Sequence, residues 1–255
     1  GFDFRKGFGE AAIESFNFMT NMAIPIADKT EFYAFGGRNF RNTDAYAFTR
    51  NDGARVVESI YPGGYTPRIT SNIIDNSIAA GFRKTTASGW KVDVSNTFGK
   101  NLFHYFIKGT INASLGDASP TEFDAGGHTL SQNTTNFDFS KNYSSVLEGL
   151  NLAFGTEYRT ERFTIFEGEL GSYATYDVNG LPITNPATQT IPTDPISGDP
   201  RPGGSQGFPG YSPANVVDKS RSNASIYADS ELDVTKSFLI SAAARFEKYS
   251  DFGNT

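Results

Sequence analysis

Polar and apolar residues alternate with a period of two over long stretches of this chain. Between residues 222 and 249, Ile226 and Ile240 fall on one face of two strands joined by a turn at Thr235, and carboxylates such as Asp229 fall on the other. Each strand is longer than the usual five or six residues. Carboxylates are costly in a dry core. The pattern therefore predicts strands with one wet face and an exposed apolar face.

The same alternation recurs along the chain and predicts eight long strands. The strand over residues 31–40 carries aromatic residues on both faces, so its outward face stays unassigned. Short turns near residues 28, 86, 143 and 235 alternate with long loops at about 44–70, 101–127 and 168–218. In an antiparallel meander this rhythm places all short turns on one rim. The predicted fold class is all-β: an antiparallel up-and-down transmembrane β-barrel segment.

Composition supports this fold class and narrows the function. The chain has 255 residues with 23 Phe, 12 Tyr, 26 Gly and no Cys, which suits strands and turns and excludes disulfides and thiolate sites. A net charge of -6 without a basic patch argues against a nucleic-acid partner. No apolar run of about 20 residues predicts a membrane-spanning helix. The start lacks a signal-peptide pattern, so we expect an internal excerpt of a longer protein.

Several short motifs resemble catalytic or ligand-binding signatures but lack their context. Residues 203–207 match G-x-S-x-G around Ser205, yet they lie among prolines, and His104 and His128 precede them. The Gly-rich residues 7–12 follow no apolar strand. Two histidines without cysteine form a poor metal set. The stretch from Asp177 is more typical of an Asn-Gly turn than of a calcium loop. We predict no catalytic residue, metal or cofactor, and a protein that is not an enzyme.

Two groups of residues remain as candidate contacts. The aromatic residues of the long loops either grip a solute or pack the loops: Tyr61, Tyr65, Phe208 and Tyr211. The polar strand positions form either a solvated lumen wall with cross-strand ion pairs or contacts to a solute or a plug: Glu157, Arg159, Tyr227, Asp229, Glu231, Arg245 and Glu247. The opposite positions are predicted to face lipid: Phe16, Phe18, Trp90, Leu150, Leu152, Phe154, Ile226, Phe238, Ile240 and Phe246.

Five segments resemble the TonB-dependent outer-membrane receptors and follow one another in the order expected for that family. They are DKTEFYAFGGRNFR (28–41), GWKVDVSNTFG (89–99), LNLAFGTEYRTERFTIFEGELGSY (150–173), GSQGFPGYSPANVVDKSRSN (204–223) and YADSELDVTKSFLISAAARFEKYSDFG (227–253). The resemblance implies a partial barrel domain over residues 1–255, about a third of a 22-stranded barrel. The family's N-terminal plug and TonB box are not recognisable in this sequence.

The resemblance also implies a function, a location and partners. The family takes up scarce, bulky solutes across the bacterial outer membrane with energy delivered by the TonB complex through the plug. Siderophore–iron complexes are its commonest substrates, and cobalamin, haem and oligosaccharides are others. Outer-membrane lipid would surround the strands. The alternative is a secreted, soluble β-sandwich module of the carbohydrate-binding type, in which the apolar faces pack against each other about 10 Å apart.

Overall fold

The computed structural model describes residues 11–254, which form one antiparallel sheet in an all-β fold. Its nine strands pair in chain order, each with the next, and the two edge strands do not pair with each other. Eight of the strands are long, as the alternation predicts. The strands are β1 (Ala11–Ala27), β2 (Thr30–Tyr46), β3 (Arg68–Thr85), β4 (Lys91–Lys108), β5 (Glu122–Tyr143), β6 (Gly149–Phe166), β7 (Val217–Thr235), β8 (Phe238–Tyr249) and β9 (Gly253–Asn254).

The pairing register sorts the alternating residues of β1–β8 onto two faces. Ile226 of β7 pairs with Thr156 of β6 and Phe246 of β8, and this side collects most large apolar side chains. We call it the apolar face. Tyr227, one residue on, pairs with Gly155 and Arg245 on the other side, which we call the polar face. A one-residue slip would exchange the two faces.

The register also assigns the strand whose faces the sequence left open. In β2, Phe32, Ala34 and Phe40 pair with Phe82, Ala80 and Ile74 of β3 and share the apolar face with them. The odd-numbered residues of β2, which include Tyr33 and Phe35, therefore lie on the polar face. Both faces of β2 carry aromatic rings, which is why periodicity alone did not assign this strand.

Connections alternate between short and long, but the loop bounds differ from those expected. Residues 101–108 belong to β4 and residues 122–127 to β5, so the middle loop is reduced to 109–121. Its apolar alternation around Phe103 is part of a strand. The other two long connections are residues 47–67 and 167–216. A bulge after His104 shifts the β4–β5 register near the loop rim.

The longest connection is ordered although it holds little regular structure. It contains the single-turn helix α1 (Leu170–Tyr173), a 3-10 turn at Pro213–Asn215 and isolated β-bridges, one of which joins Ser205 to Asn112 of the middle loop. Within residues 11–254, no helix is long and apolar enough to cross a membrane.

Burial is concentrated at the loop rim. All seventeen residues of β1 are exposed, and most of β8 is exposed as well. Apart from Ala79 of β3, the fully or nearly fully buried apolar side chains lie in the long loops and in the loop halves of β3–β5, where Ile107 pairs with Phe123. The sheet therefore has no second layer over its apolar face among the described residues.

Candidate functional site: the polar face and the loop cap

The three long loops pack together into one structure, which we call the loop cap (residues 47–67, 109–121 and 167–216). Its centre is an apolar cluster of Val56, Val57, Tyr65, Ile111 and Ala113, drawn from the first two loops. The third loop joins through Arg201, which donates 2.7 Å to the carbonyl of Val56. The cap thus has its own dry core, unlike the sheet beneath it.

Asn112 connects the middle loop to the longest one. Its side-chain nitrogen donates to the carbonyls of Gly171 and Ala174, both at 2.8 Å, while its side-chain oxygen accepts from the backbone and hydroxyl of Ser114. The residue is fully buried. Because all of these groups would otherwise be unpaired in a dry site, Asn112 fixes the two loops against each other.

The structure places Tyr61 and Tyr65 inside the cap. Their rings stack with centroids 4.6 Å apart, and Tyr65 is only 3% exposed, with its hydroxyl donating to the carbonyl of Arg55. Burial raises the pKa of both phenols. Tyr65 offers no open ring face, so of the two interpretations of these residues the geometry favours loop packing.

Phe208 and Tyr211 lie instead against an aromatic cluster at the loop end of the polar face. Tyr105 of β4 contacts both rings, with centroids 5.1 and 6.4 Å away. The cluster, which we call the aromatic platform, consists of Phe103, Tyr105, His128, Phe163, Phe208 and Tyr211. Phe163 and the neighbouring Leu130 are exposed. Such a surface can stack against flat or ring-shaped groups of a solute.

Four members of the platform were missed at the sequence level. Phe103, Tyr105, His128 and Phe163 belong to strands, where aromatic residues are common, and only the register shows that they share a face. Alternation along each strand could have placed them on the polar face, because residues two apart in a strand share a face. Phe103 has the parity of Asn101, for example.

Charged residues of the polar face form a network on β6–β8. Arg245 donates to Glu247 at 2.5 Å and to Glu157 at 3.1 Å, and Arg159 donates 3.1 Å to the hydroxyl of Tyr249. Arg221 extends the network to Glu161 at 2.5 Å. The predicted wall residues Glu157, Arg159, Arg245 and Glu247 are thus brought together by pairing across three strands.

Beside this network lie buried polar atoms that have no hydrogen-bond partner among the described residues. Asn223 is 2% exposed, and neither of its side-chain amide atoms has a hydrogen bond to a described residue. The hydroxyl of Ser225 and the Nε of Arg159 share this condition. An unpaired buried polar group costs about 1–3 kcal/mol. These atoms therefore need a hydrogen-bond partner, either water or another polar group, on the polar face.

Two tyrosines cross glycines to reach carboxylates two strands away. Tyr33 of β2 passes over Gly81 of β3 and donates 2.8 Å to Asp93 of β4. Tyr227 of β7 passes over Gly155 of β6 and donates 2.7 Å to Asp138 of β5. The two carboxyl-bearing residues are cross-strand neighbours.

Those tyrosine contacts adjoin a cavity on the polar face. It measures about 790 Å³ and lies near the short-turn rim. Asp229 and Glu231, the remaining wall residues, share the polar face with Tyr227. Residues of seven strands, β1 to β7, line the cavity, and among them are Pro25, Glu31, Arg83, Asp93, Asp138 and Tyr227.

The predicted lipid-facing residues all belong to the apolar face. Ile226, Phe238 and Ile240 are 59%, 57% and 51% exposed. Trp90 precedes β4, contacts Phe154 and Tyr143 edge-on, and receives the ammonium of Lys141 over its ring. By register, Phe16, Phe18, Leu150, Leu152, Phe154 and Phe246 join the same face.

The motifs weighed as catalytic or metal-binding have structural roles. The Ser205 hydroxyl is buried and donates 2.8 Å to the carbonyl of Phe208. His104 pairs with Asp124 at 2.8 Å, while His128 belongs to the aromatic platform. The Gly-rich match at residues 7–12 lies outside the described residues except for its last two, which begin β1. In the part of the chain that the structure describes, no three His, Asp or Glu residues form a metal site.

Asp177 organises a turn. Its Oδ1 accepts from the backbone amides of Asn179 and Leu181, both at 2.9 Å, and Oδ2 accepts from Gln189. These hydrogen bonds lower the pKa of the carboxyl group. The turn interpretation of residues 177–180 therefore has a structural basis, since the carboxylate oxygens are occupied by donors of the chain itself.

Comparison with protein-family models and with curated proteins finds no match for this chain. The function must therefore be argued from the two faces and the cap.

Proposed function

We propose that the chain is a barrel segment of an outer-membrane TonB-dependent receptor that takes up a bulky, scarce solute. The observation that carries the proposal is the exposure of an extended apolar face opposite a polar, charged one. Large contiguous apolar surfaces are rare on soluble monomers and mark contact with lipid or a partner. Strands that alternate apolar-out and polar-in are the signature of membrane barrels.

The two rims support an orientation. Connections of two to five residues join β1 to β2, β3 to β4, β5 to β6 and β7 to β8, and the loop cap covers the opposite rim. In outer-membrane barrels short turns face the periplasm and long loops face outside. The loop cap then lies outside the cell, and the aromatic platform just below it offers the first solute contact.

The polar face supports the lumen assignment. Its ion pairs join Arg245 to Glu157 and Arg221 to Glu161, and it keeps polar groups such as Asn223 that need water or another polar partner. In the proposed receptor, an N-terminal plug lies against this face and couples it to TonB. The solute class follows the family range, from siderophore–iron complexes to cobalamin, haem and oligosaccharides.

Cysteine labelling tests the orientation directly, because the chain contains no cysteine. In the full-length protein, a cysteine at Ile196, an exposed cap residue, should react with a membrane-impermeant maleimide in intact cells. A cysteine at Lys236 should react only after the outer membrane is permeabilised. A cysteine at Ile78 should stay unreactive toward this reagent in both conditions. Ser77→Cys, at the neighbouring position on the polar face, is the matched control and should differ from Ile78→Cys by becoming reactive after permeabilisation.

Labelling of Ile78→Cys in a detergent-free, soluble full-length protein would contradict the proposal. A soluble protein in which Ile78→Cys stays unreactive would favour the secreted β-sandwich module, because its apolar faces pack against each other. Transport is tested by growth on siderophore–iron, haem, cobalamin or oligosaccharide as limiting source. We expect loss of one source when the full-length gene is deleted and the same loss when TonB is deleted. Growth that depends on the gene but not on TonB would contradict the energy coupling.

A further inference from the structure

A line of polar and cationic residues crosses the apolar face. Arg38 of β2 pairs with Asn76 of β3, and Asn76 pairs with Lys100 of β4. The line continues through Ser131 of β5 to Arg162 of β6. Cations therefore occur on alternate strands, separated by a small polar residue each time. Two strand spacings put the backbones of neighbouring cations about 10 Å apart.

Within residues 11–254, the first two cations have no acidic partner. Arg38 is exposed and rests on the ring of Phe40, with its guanidinium carbon 4.4 Å from the ring centre. Lys100 is exposed and forms no ion pair with any described residue. Arg162 differs, because Asp218 binds it at 2.6 Å. We call Arg38, Asn76 and Lys100 the cationic row.

The position of the cationic row matters because its surroundings are apolar. Toward the short turns, β3 continues with Ile78 and Phe82, and β4 continues with Phe98 and Val94. Toward the long loops, one more apolar level is followed by Asn42, Asn72 and His104. The row thus lies near the loop-side margin of the apolar face. Free cations on a lipid-facing surface are costly in the hydrocarbon but favourable among anionic headgroups.

We propose that the cationic row binds the phosphate groups of the anionic glycolipid in the outer leaflet. This inference rests on the proposed outer-membrane function. Arg38 offers a planar fork that can hold a phosphate with two hydrogen bonds, and Lys100 offers a point charge. Asn76 lies between them and can donate to a sugar or phosphate oxygen. Two separated cations fit a disaccharide headgroup phosphorylated at both ends.

The test measures binding of diphosphorylated lipid A to the purified full-length protein in neutral detergent. We expect the Arg38→Gln/Lys100→Gln double variant to lose about tenfold to thirtyfold in affinity, since each cation near an anionic surface contributes a factor of about five. The control variant is Lys84→Gln/Lys236→Gln, which removes the same charge at the short-turn rim. It should bind within about twofold of the unchanged protein.

Dephosphorylated lipid A provides the second comparison and should bind weakly to all three proteins. Equal binding of both lipids, or unchanged binding by the row variant, would overturn the inference. Cell fractionation of the same proteins separates the two proposals. Recovery outside the outer membrane would contradict the proposed function, whereas an outer-membrane protein with row-independent lipid binding contradicts only this inference.

Discussion

The loop cap and the sheet differ in where they place apolar and polar side chains. The cap buries apolar groups and pairs its polar ones, whereas the sheet exposes large apolar side chains. In the cap, Val57 and Ile111 are buried and the polar groups of Asn112 are hydrogen-bonded, as in a soluble domain. In the sheet, Ile226 and Phe238 are exposed and the unpaired Asn223 lies on the opposite face. Burial within the chain therefore stabilises the cap, whereas the apolar face of the described sheet is left uncovered by the chain.

The largest expected effect falls on the cap. Asn112→Ala leaves the carbonyls of Gly171 and Ala174 without their donor and should destabilise the cap by about 3–5 kcal/mol. Limited proteolysis of the full-length protein should detect rapid cleavage in residues 167–216. Asn185→Ala, at an exposed position of the same loop, is the control. Amide hydrogen exchange of Asn112→Ala provides a second measurement. If it accelerates as much in the strands as in the loop cap, the stabilities of the two regions are not independent.

A charge on the apolar face should have a slightly smaller effect. Ile78→Lys should reduce the unfolding free energy in lipid vesicles by about 2–3 kcal/mol, because in the proposed membrane Ile78 lies one level inside the cationic row, between the headgroups and the bilayer centre. Ser77→Lys, on the polar face, should change it little. Urea titration in vesicles measures both. An equal effect of the two variants would contradict the distinction between the faces. Lysine is tolerated at an exposed position in water, so an Ile78 that faced water would tolerate it as well as Ser77 does.

The tyrosine crossings on the polar face should contribute less. A Cβ at residue 155 would lie 2.6 Å from the backbone oxygen of Phe137 and 2.7 Å from both the Asp138 carboxylate and a ring carbon of Tyr227. Gly155→Ala should therefore disturb the Tyr227–Asp138 contact and the β5 backbone beneath it, and cost about 1–3 kcal/mol. Gly99→Ala is the matched control, because the nearest atom to its Cβ is 4.0 Å away. Urea titration again gives the comparison. Equal loss in both variants would indicate a general cost of strand glycine replacement.

The smallest expected effect is a pH response of the cap. The carboxyl pKa values of Asp177 and Asp194 are lowered chiefly by backbone hydrogen bonds, from Leu181 and Ser197 respectively. Their contribution to stability is therefore present above the ordinary value of 3.8 and is lost as the pH falls through the lowered value. Amide exchange in residues 177–199 should accelerate in acid. Asp177→Asn should reduce the pH dependence; an unchanged profile would contradict the assignment.

Much of the sheet could be predicted from sequence because alternation reports directly on solvent at each face. Ile226 against Tyr227 and Ile240 against Ser241 already indicate which positions share a face. The strand ends were harder to predict from the sequence. Residues 101–127 carry glycines that are typical of a loop, but the structure places many of these residues in β4 and β5, on either side of a bulge and a shorter loop. The aromatic residues Tyr61 and Tyr65 could not be sorted from Phe208 and Tyr211, because composition is the same in a packed cap and a binding surface.

The sequence by itself determined eight long strands, the two faces of all of them except β2, and the alternation of short and long connections, because these depend on neighbours one or two residues apart. Tertiary structure decided what depends on register between strands. It placed Tyr33 and Tyr227 over glycines, gathered Phe103 and His128 under the cap, and aligned Arg38 with Lys100 across β3. Register is set by the summed packing and hydrogen bonding of whole strands, which no local pattern encodes.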